Sequence, residues 1–183
     1  MPMRVIGGLY RHRKLVYPES NKNIRPTKDR IREALFSILG DLENKAFLDL
    51  YAGSGSIGIE AISRGASKTY FVDIDKVALG YVKENVSSLD ISSQSDIYNL
   101  SDVEALELFV KEQISFDVIY LDPPYNKGKY EDILSYIYSN KLIKFNGVIV
   151  CESNRPIEIN PLWNVKTKEY HYGEISLLVL KGN

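Results

Sequence analysis

The sequence predicts an α/β fold, a doubly wound sandwich whose mostly parallel sheet ends in an antiparallel hairpin. From residue 46 onwards, apolar runs alternate with helical stretches of about 10 to 14 residues, and glycine or aspartate loops separate them. Two strand-like segments then flank Gly173 near the C-terminus. A helix that connects two successive strands forms a right-handed crossover, and the two strands then lie parallel in the sheet. The 183 residues, 44% of them hydrophobic, are sufficient for one domain with a substantial core.

The first forty residues precede this alternation. Residues 4–17 alternate loosely around a Gly-Gly pair, which predicts a short strand or hairpin. Within 25–39, Thr27 can cap a helix, and apolar residues recur at helical spacing. The members of that apolar face are Ile31, Leu35, Ile38 and Leu39. Three basic residues are expected near the solvent side of this helix: Arg25, Lys28 and Arg32.

The remaining elements follow from the alternation itself. The predicted strands, with the loops that close them, are 46–53, 68–75, 95–100, 116–122, 147–153, 163–173 and 174–181. The predicted helices are 56–65, 76–89, 103–112 and 130–140. In open α/β sheets, ligands bind outside the carboxyl ends of the parallel strands. The loops after the first four strands are therefore the place to look for a site.

Charge is distributed unevenly along the chain. Residues 1–32 hold nine Lys or Arg against Glu19 and Asp29, a net charge of +7, whereas the whole chain carries −1. A basic extension on a mildly acidic body favours a polyanionic partner. Tyr10 and Tyr17 lie among the basic residues and can stack on exposed bases. A solvated basic segment with no partner is the simpler alternative.

The sequence also indicates the cellular compartment of the protein. No run of about 18 apolar residues is present for a membrane span, and the N-terminus lacks the apolar core of a secretory signal. We therefore expect a cytoplasmic protein that does not enter a membrane. Cys151 stands alone in an apolar run and is expected to be a core residue. His12 and His171 are far apart and lack the spacing of metal ligands, so no metal site is expected.

A glycine-rich loop follows the first strand. Gly53, Gly55 and Gly58 satisfy G-x-G-x-x-G between a strand and a helix, and Asp73 follows twenty residues after the first of them. Glycines there allow a tight turn and close approach of a ligand to the backbone, and the acid can accept hydrogen bonds from ribose hydroxyls. The pattern is compatible with a dinucleotide or S-adenosylmethionine, and a plain structural turn would also use glycine. The flanking residues expected to contact such a cofactor are Tyr51, Ala52, Ser54 and Ile74.

Asp49 helps to separate the two cofactors. It lies at the end of the first strand, where a dinucleotide-binding strand is usually apolar up to the loop. S-adenosylmethionine has an ammonium group where NAD has a pyrophosphate. A carboxylate can hold the ammonium group directly or through water, and would repel the pyrophosphate. Asp49 therefore favours the methyl donor.

The fourth strand ends in Asp122, Pro123, Pro124 and Tyr125. Tandem prolines fix two φ angles and carry no N–H, so this loop is stiff and its carbonyls are left unpaired. An exocyclic amine on a base is a poor nucleophile because its lone pair is delocalised. A carboxylate and a fixed carbonyl that accept its two N–H bonds would direct that lone pair towards a methyl group, while the tyrosine stacks on the base. The alternative is that Asp122 caps the next helix and the prolines only end the strand.

Together these motifs carry a family resemblance. The stretches "LDLYAGSGSIGIEA" and "LDPPYN" resemble the amino-methyltransferases that use S-adenosylmethionine. The N-terminal "RVIGGLYRHRKL" and "RPTKDRIREALFSIL" are similar, more narrowly, to bacterial enzymes that make N2-methylguanosine in 16S ribosomal RNA. The resemblance covers nearly the whole chain. It implies a Rossmann-like methyltransferase domain over 1–183, with a basic N-terminal segment (1–40) facing RNA and a catalytic core (41–183).

The resemblance also implies which residues form the site. The cofactor is expected at Gly53, Gly55, Asp73 and Asp122, with the adenine amino group held after the third strand by Ser101, from the ungapped alignment, or by Asp102, which is chemically more suitable. The target base is expected at Asp122, Pro123, Pro124 and Tyr125. RNA contacts are expected from Arg4, Tyr10, Arg11, Arg13, Lys14, Arg25, Thr27 and Arg30. The implied substrate is 16S rRNA within the small subunit or an assembly intermediate, with no obligate protein partner.

Three other functions remain open from the sequence. An adenine-N6 methyltransferase of DNA or RNA shares the Asp-Pro-Pro-Tyr chemistry, although a sequence-specific DNA reader usually needs an added domain. A NAD-dependent oxidoreductase fits the glycine loop and leaves the second motif, Asp49 and the basic segment unexplained. A noncatalytic RNA-binding module of the same fold is the third alternative.

Overall fold

The computed structural model describes residues 3–17, 29–124 and 130–182. Five helices lie within this part of the chain: α1 (Asp29–Leu39), α2 (Ser56–Ser63), α3 (Lys76–Ser88), α4 (Asp102–Lys111) and α5 (Tyr130–Ser139). Seven strands form the sheet: β1 (Ala46–Asp49), β2 (Lys68–Val72), β3 (Ser95–Tyr98), β4 (Phe116–Leu121), β5 (Ile143–Ser153), β6 (Val165–Tyr172) and β7 (Ile175–Gly182).

The strands form one sheet in the order β3-β2-β1-β4-β5-β7-β6. Strands β1 to β5 pair in parallel, whereas β7 is antiparallel to both β5 and β6. The chain crosses from β3 past β1 to reach β4, so the topological switch point lies between β1 and β4. This architecture confirms the predicted doubly wound α/β sheet with a C-terminal antiparallel hairpin.

Alternating side chains of the central strands fill two separate cores. On one face, Leu48, Ile119 and Ile149 pack with apolar residues of α4 and α5. On the other, Phe47 and Val118 pack with α1 and α2. The period of two along each strand therefore gives both faces apolar cover, as a mostly parallel sheet requires. Cys151 is fully buried in the first core, as predicted, and burial raises the pKa of its thiol.

The N-terminal segment is a short hairpin that lies against α2. Arg4 and Lys14 form an antiparallel bridge, and the backbone of Val5 bonds to that of both Arg13 and His12. All eight residues of α2 are buried, because this hairpin covers the side of the helix that the sheet does not. The predicted hairpin is thus present, and it is packed onto the helix that follows the glycine loop.

Arg32 lies in the interior and not near the solvent side of α1, so that prediction was wrong. Its side chain is wholly buried, and its Nη2 donates to the Arg4 carbonyl (2.9 Å) and to Asp29 (2.8 Å). Helical spacing correctly placed Arg32 off the apolar stripe of α1. The N-terminal hairpin covers that side of the helix, and spacing within α1 carries no information about it.

The C-terminal strands finish the sheet as predicted. Gly173 has φ +67° in the turn between β6 and β7, a conformation that glycine adopts without strain. Trp163 stacks on Tyr138 of α5 at 4.9 Å between ring centroids, so both aromatic rings serve packing. β5 begins at Ile143, four residues earlier than predicted. Within the described ranges, we find no helix with the length and apolarity needed to cross a bilayer.

Candidate cofactor and target site

Four loops meet at the carboxyl edge of the parallel strands. Asp49 of β1 is in register with Phe71 of β2 and Tyr120 of β4, and Val72 of β2 with Tyr98 of β3. The glycine loop, the loop after β2, the start of α4 and the Asp-Pro-Pro segment therefore lie side by side. The structure brings the predicted motifs together at the switch point, where ligands of such sheets bind.

The three glycines of the loop meet different geometric demands. Gly53 and Gly55 have φ of +54° and +83°, and Gly55 is the N-cap of α2 without a side-chain cap. Gly58 is instead required by packing, since a Cβ there would lie 2.3 Å from the Phe71 ring. The first two positions need glycine for their positive φ, and of these Gly53 is half-buried and Gly55 buried, whereas the third lets α2 approach the sheet. Ser54 and Ala52, expected at the cofactor, are buried within this turn.

Asp73 holds the glycine loop against the end of β2. Its Oδ2 accepts from the Gly53 N–H (2.7 Å) and its Oδ1 from the Asp75 N–H (2.9 Å). Asn99 Nδ2 donates to the carbonyls of Asp73 and Ile74, at 3.0 Å each. A carboxylate has about four acceptor positions, so Asp73 retains capacity for ribose hydroxyls. Ile74 beside it is 75% exposed and presents an apolar side chain at this edge.

Asp49 is directed into the loop and is almost inaccessible, with 1% exposure. Its Oδ2 accepts from the Gly58 N–H (3.0 Å). Burial raises the pKa of Asp49 to about 7; the Gly58 hydrogen bond lowers it and the Asp73 charge raises it further. The structure thus places this carboxyl beneath the glycine loop, bonded to the backbone of α2.

The loop after β3 distinguishes Ser101 from Asp102. Ser101 is the N-cap of α4 in a capping box: its Oγ accepts from the Glu104 N–H and donates to the Glu104 carboxylate. Asp102 accepts from the Tyr51 hydroxyl at 2.7 Å, and burial and this hydrogen bond raise the pKa of Tyr51. Ser101 therefore already has a structural partner in its own helix, and Asp102 is tied to the cofactor-loop residue Tyr51.

The Asp-Pro-Pro segment continues directly from β4. Leu121 is paired with Cys151 of β5, and beyond it Asp122 is half-buried, Pro123 buried and Pro124 exposed. Burial raises the pKa values of Tyr120 and Tyr130, and the negative charge of Asp122 raises both further. Tyr125, predicted to stack on the base, lies outside the described residues.

The N-terminal hairpin runs along α2, so its exposed basic residues lie at different distances from the glycine loop. Met3 contacts Ser54 in the glycine loop, whereas Leu9 and Tyr10 bond to Ser63 at the far end of the helix. Eight helical residues separate these points by roughly 12 Å. Four basic side chains of the hairpin are exposed: Arg4, Arg11, Arg13 and Lys14. Arg30 is exposed on α1, and Arg25 and Thr27 lie outside the described ranges.

Three charged residues are buried although the sequence analysis did not predict it. Glu60 accepts from the backbone N–H groups of Ile6 and Gly7, and Glu152 lies at the end of β5 with 3% exposure. Arg32 is the third. A charged residue inside an apolar run, as in "IGIEAIS" and "VIVCES", was the available signal. The capping box at "SDVE" was equally readable and would have placed Ser101 as a helix cap.

Comparison with known proteins places the chain in a family. The model of the family "Conserved hypothetical protein 95" matches residues 3–181. The Haemophilus influenzae protein named ribosomal RNA small subunit methyltransferase D is 37% identical over 84% of this chain and 79% of its own. YlbH of Bacillus subtilis strain 168 is 34% identical over 98% of both chains. The solved structure of yhhF from Escherichia coli superposes with a TM-score of 0.85 at 25% identity, covering 100% of this chain and 99% of that one.

These matches extend over both the N-terminal hairpin and the sheet. The predicted fold, family and enzyme class are therefore confirmed. The chain belongs to the family of the conserved hypothetical protein 95 model, together with the ribosomal RNA small subunit methyltransferases D.

Proposed function

We propose that this chain is an S-adenosylmethionine-dependent methyltransferase that acts on the exocyclic N2 amine of a guanine in 16S ribosomal RNA. The observation that carries the proposal is the placement of Asp122 and Pro123 beside the glycine loop at the switch point of the sheet. A relative of this chain bears the name of a small-subunit ribosomal RNA methyltransferase and shares 37% identity with it.

The residues at this edge fit S-adenosylmethionine. Asp73 retains acceptor capacity for the two ribose hydroxyls, and Gly53 beside it is half-buried and has no side chain. Asp102 is the favoured partner of the adenine amino group: its carboxylate has about four acceptor positions, of which the Tyr51 hydroxyl and the Val103 N–H take two, whereas the hydroxyl of Ser101 caps α4. When bound, S-adenosylmethionine supplies an electrophilic sulfonium methyl group.

The protein's part in the reaction is alignment of a weak nucleophile. The Asp122 carboxylate and the Pro123 carbonyl accept the two N–H bonds of the amine, which favours a pyramidal nitrogen with its lone pair directed at the methyl group. No strong base is needed, since the amine loses its proton after it has become cationic. Tyr125 is proposed to stack on the base, an interaction worth roughly 1 to 3 kcal/mol. Rate then comes from positioning and from fixed negative potential.

The basic hairpin is proposed to bind the RNA backbone. Its exposed Arg and Lys side chains extend down α2 from the glycine loop, so phosphates on one side of the target nucleotide can be held while the base enters the site. A guanine within a helix must first be extruded or be presented by a loop. We further propose a cytoplasmic enzyme that acts on the small subunit or an assembly intermediate and needs no obligate protein partner.

The test is methyl transfer from labelled S-adenosylmethionine to small subunits that lack the modification, followed by mass spectrometry of the nucleosides. N2-methylguanosine is expected, and Asp122→Asn should abolish it while RNA binding stays unchanged. Glu107→Gln, an exposed change on α4, is the matched control. Product found only as N6-methyladenosine would overturn the guanine assignment. Activity retained in Asp122→Asn would remove the proposed role of this carboxylate.

A further inference from the structure

The chain segment that begins at Asp122 and is proposed to bind the target base is flanked by two tyrosines, and both form hydrogen bonds to one residue of β5. Tyr120, two residues before Asp122, donates its hydroxyl hydrogen bond to Glu152 Oε2 at 2.5 Å. Tyr130, the first residue after the loop, donates its hydroxyl to the Glu152 carbonyl at 2.5 Å. Glu152 is 3% exposed. The Asp-Pro-Pro segment is therefore bounded on each side by a tyrosine that bonds to Glu152.

Strand register brings Glu152 to the same face of the sheet as Asp122. Tyr120 pairs with Val150 and Leu121 with Cys151, so positions 122 and 152 are the next step along these parallel strands. Side chains in register on adjacent strands point to the same face. Asp122 and Glu152 thus lie side by side, one step beyond Tyr120 on the face that carries its side chain, and Asp49 of β1 is in register with Tyr120.

The Tyr120 hydroxyl has one proton to donate. Burial raises its pKa well above the ordinary value, and the charges of Asp122 and Glu152 raise it further, so the phenol stays protonated. In the structure that proton is given to Glu152. A buried hydroxyl that loses its acceptor turns towards another one nearby, since leaving it unpaired is costly.

We propose that Glu152 is a positioning residue for methyl transfer: it takes the hydrogen bond of Tyr120 and so prevents this hydroxyl from occupying the Asp122 carboxylate. The inference rests on the proposed function, in which Asp122 must accept an N–H of the target amine. Without Glu152, the Tyr120 hydroxyl bonds to Asp122 and competes with the substrate. Glu152 acts through Tyr120 and does not itself touch the base.

The decisive experiment is a double substitution. Glu152→Met should lower kcat by about 10- to 100-fold, the effect of one charged hydrogen bond, with the dissociation constant of S-adenosylmethionine unchanged. Adding Tyr120→Phe removes the competing hydroxyl and should restore kcat to within about 3-fold of wild type. A purely structural role predicts the opposite, because the second substitution would add to the damage. Tyr130→Phe in the same background is the control and should restore nothing.

Failure to restore kcat in the double variant, or full activity in Glu152→Met alone, would overturn the proposal. If Glu152→Met does not fold, Glu152→Asp withdraws the acceptor by one methylene and supplies the same comparison. Crystal structures of Glu152→Met and Glu152→Asp give a readout independent of activity: the Tyr120 hydroxyl should lie within hydrogen-bonding distance of Asp122, and a hydroxyl that stays away from it refutes the inference. A wild-type protein that methylates no ribosomal RNA would instead overturn the proposed function.

Discussion

The fold strongly disfavours the ionised form of Asp49. Its pKa rises from 3.8 to about 7, chiefly through burial. One unit of pKa corresponds to 1.36 kcal/mol, so ionising Asp49 in the folded protein costs roughly 4 kcal/mol more than in the unfolded chain. Because the folded-state pKa is the higher one, the folded protein binds the Asp49 proton more tightly than the unfolded chain does. The stability that comes from this tighter binding is fully present below about pH 4 and is lost as the pH rises through 7.

Asp49→Asn removes this titration and retains an oxygen that can accept from the Gly58 N–H. Between pH 5 and pH 8, the free energy of unfolding of wild-type protein should therefore fall by roughly 3 kcal/mol more than that of the variant. Urea unfolding at both pH values, without cofactor, measures the difference. Glu107→Gln, which changes an exposed carboxylate on α4, should behave as wild type.

The same titration should appear in cofactor binding. A ligand ammonium group near Asp49 favours the ionised carboxylate, so the affinity of wild-type protein for S-adenosylmethionine should rise as the pH passes through 7. Calorimetry on Asp49→Asn should show no such rise. An equal pH dependence of unfolding in wild type and variant would refute the reasoning about burial. An equal pH dependence of binding would refute the electrostatic role of Asp49 towards the ligand.

Three further predictions concern the N-terminal hairpin. Glu60→Ala leaves two backbone N–H groups without their acceptor, and should lower the free energy of unfolding by about 3 kcal/mol in urea titrations and make the hairpin more susceptible to proteolysis. Gly8→Ala should lower the free energy of unfolding by about 2 kcal/mol more than Gly40→Ala. Both glycines have positive φ, but only a Cβ at Gly8 would meet the Ser63 carbonyl, at 1.8 Å. Equal thermal unfolding temperatures of the two variants would contradict this prediction. Charge reversal of Arg11 and Arg13 should weaken RNA binding more at low salt than at high salt, measured by filter binding, and an unchanged salt slope would exclude both from phosphate contact.

The sheet could be predicted because its information is local. Each central strand is a short apolar run closed by glycine or aspartate, and each helix has its own periodicity. The early start of β5 was not predicted, because Lys144 and Asn146 interrupt the apolar run and Phe145 between them is exposed. The burial of Arg32 was also beyond reach, since it depends on the carbonyl of Arg4, 28 residues earlier. Local pattern carries no information about such a contact.

The meeting of the motifs at one edge of the sheet could be predicted, whereas the hydrogen bonds among their side chains could not. That the motifs around Asp49, Asp73 and Asp122 meet at one edge follows from parallel strands alone. The partners of these carboxylates do not follow, because they are set by the path of each loop. The role of Glu152 needs the register between β4 and β5, which no spacing in the sequence reveals.

The hydrogen bonds change the interpretation of the acidic residues in the first motif. Asp73 accepts from the Gly53 N–H and Asp49 from the Gly58 N–H, so each carboxylate holds one end of the glycine loop before any ligand is present. The glycines and the two acids therefore act as one unit: Gly53 supplies an N–H in a positive-φ conformation, Gly58 supplies one from the closely packed start of α2, and the acids hold both. Substituting either acid should alter the shape of the loop as well as its charge. A loss of cofactor affinity alone would then not identify a direct ligand contact, and the pH dependence of binding is the measurement that separates charge from shape.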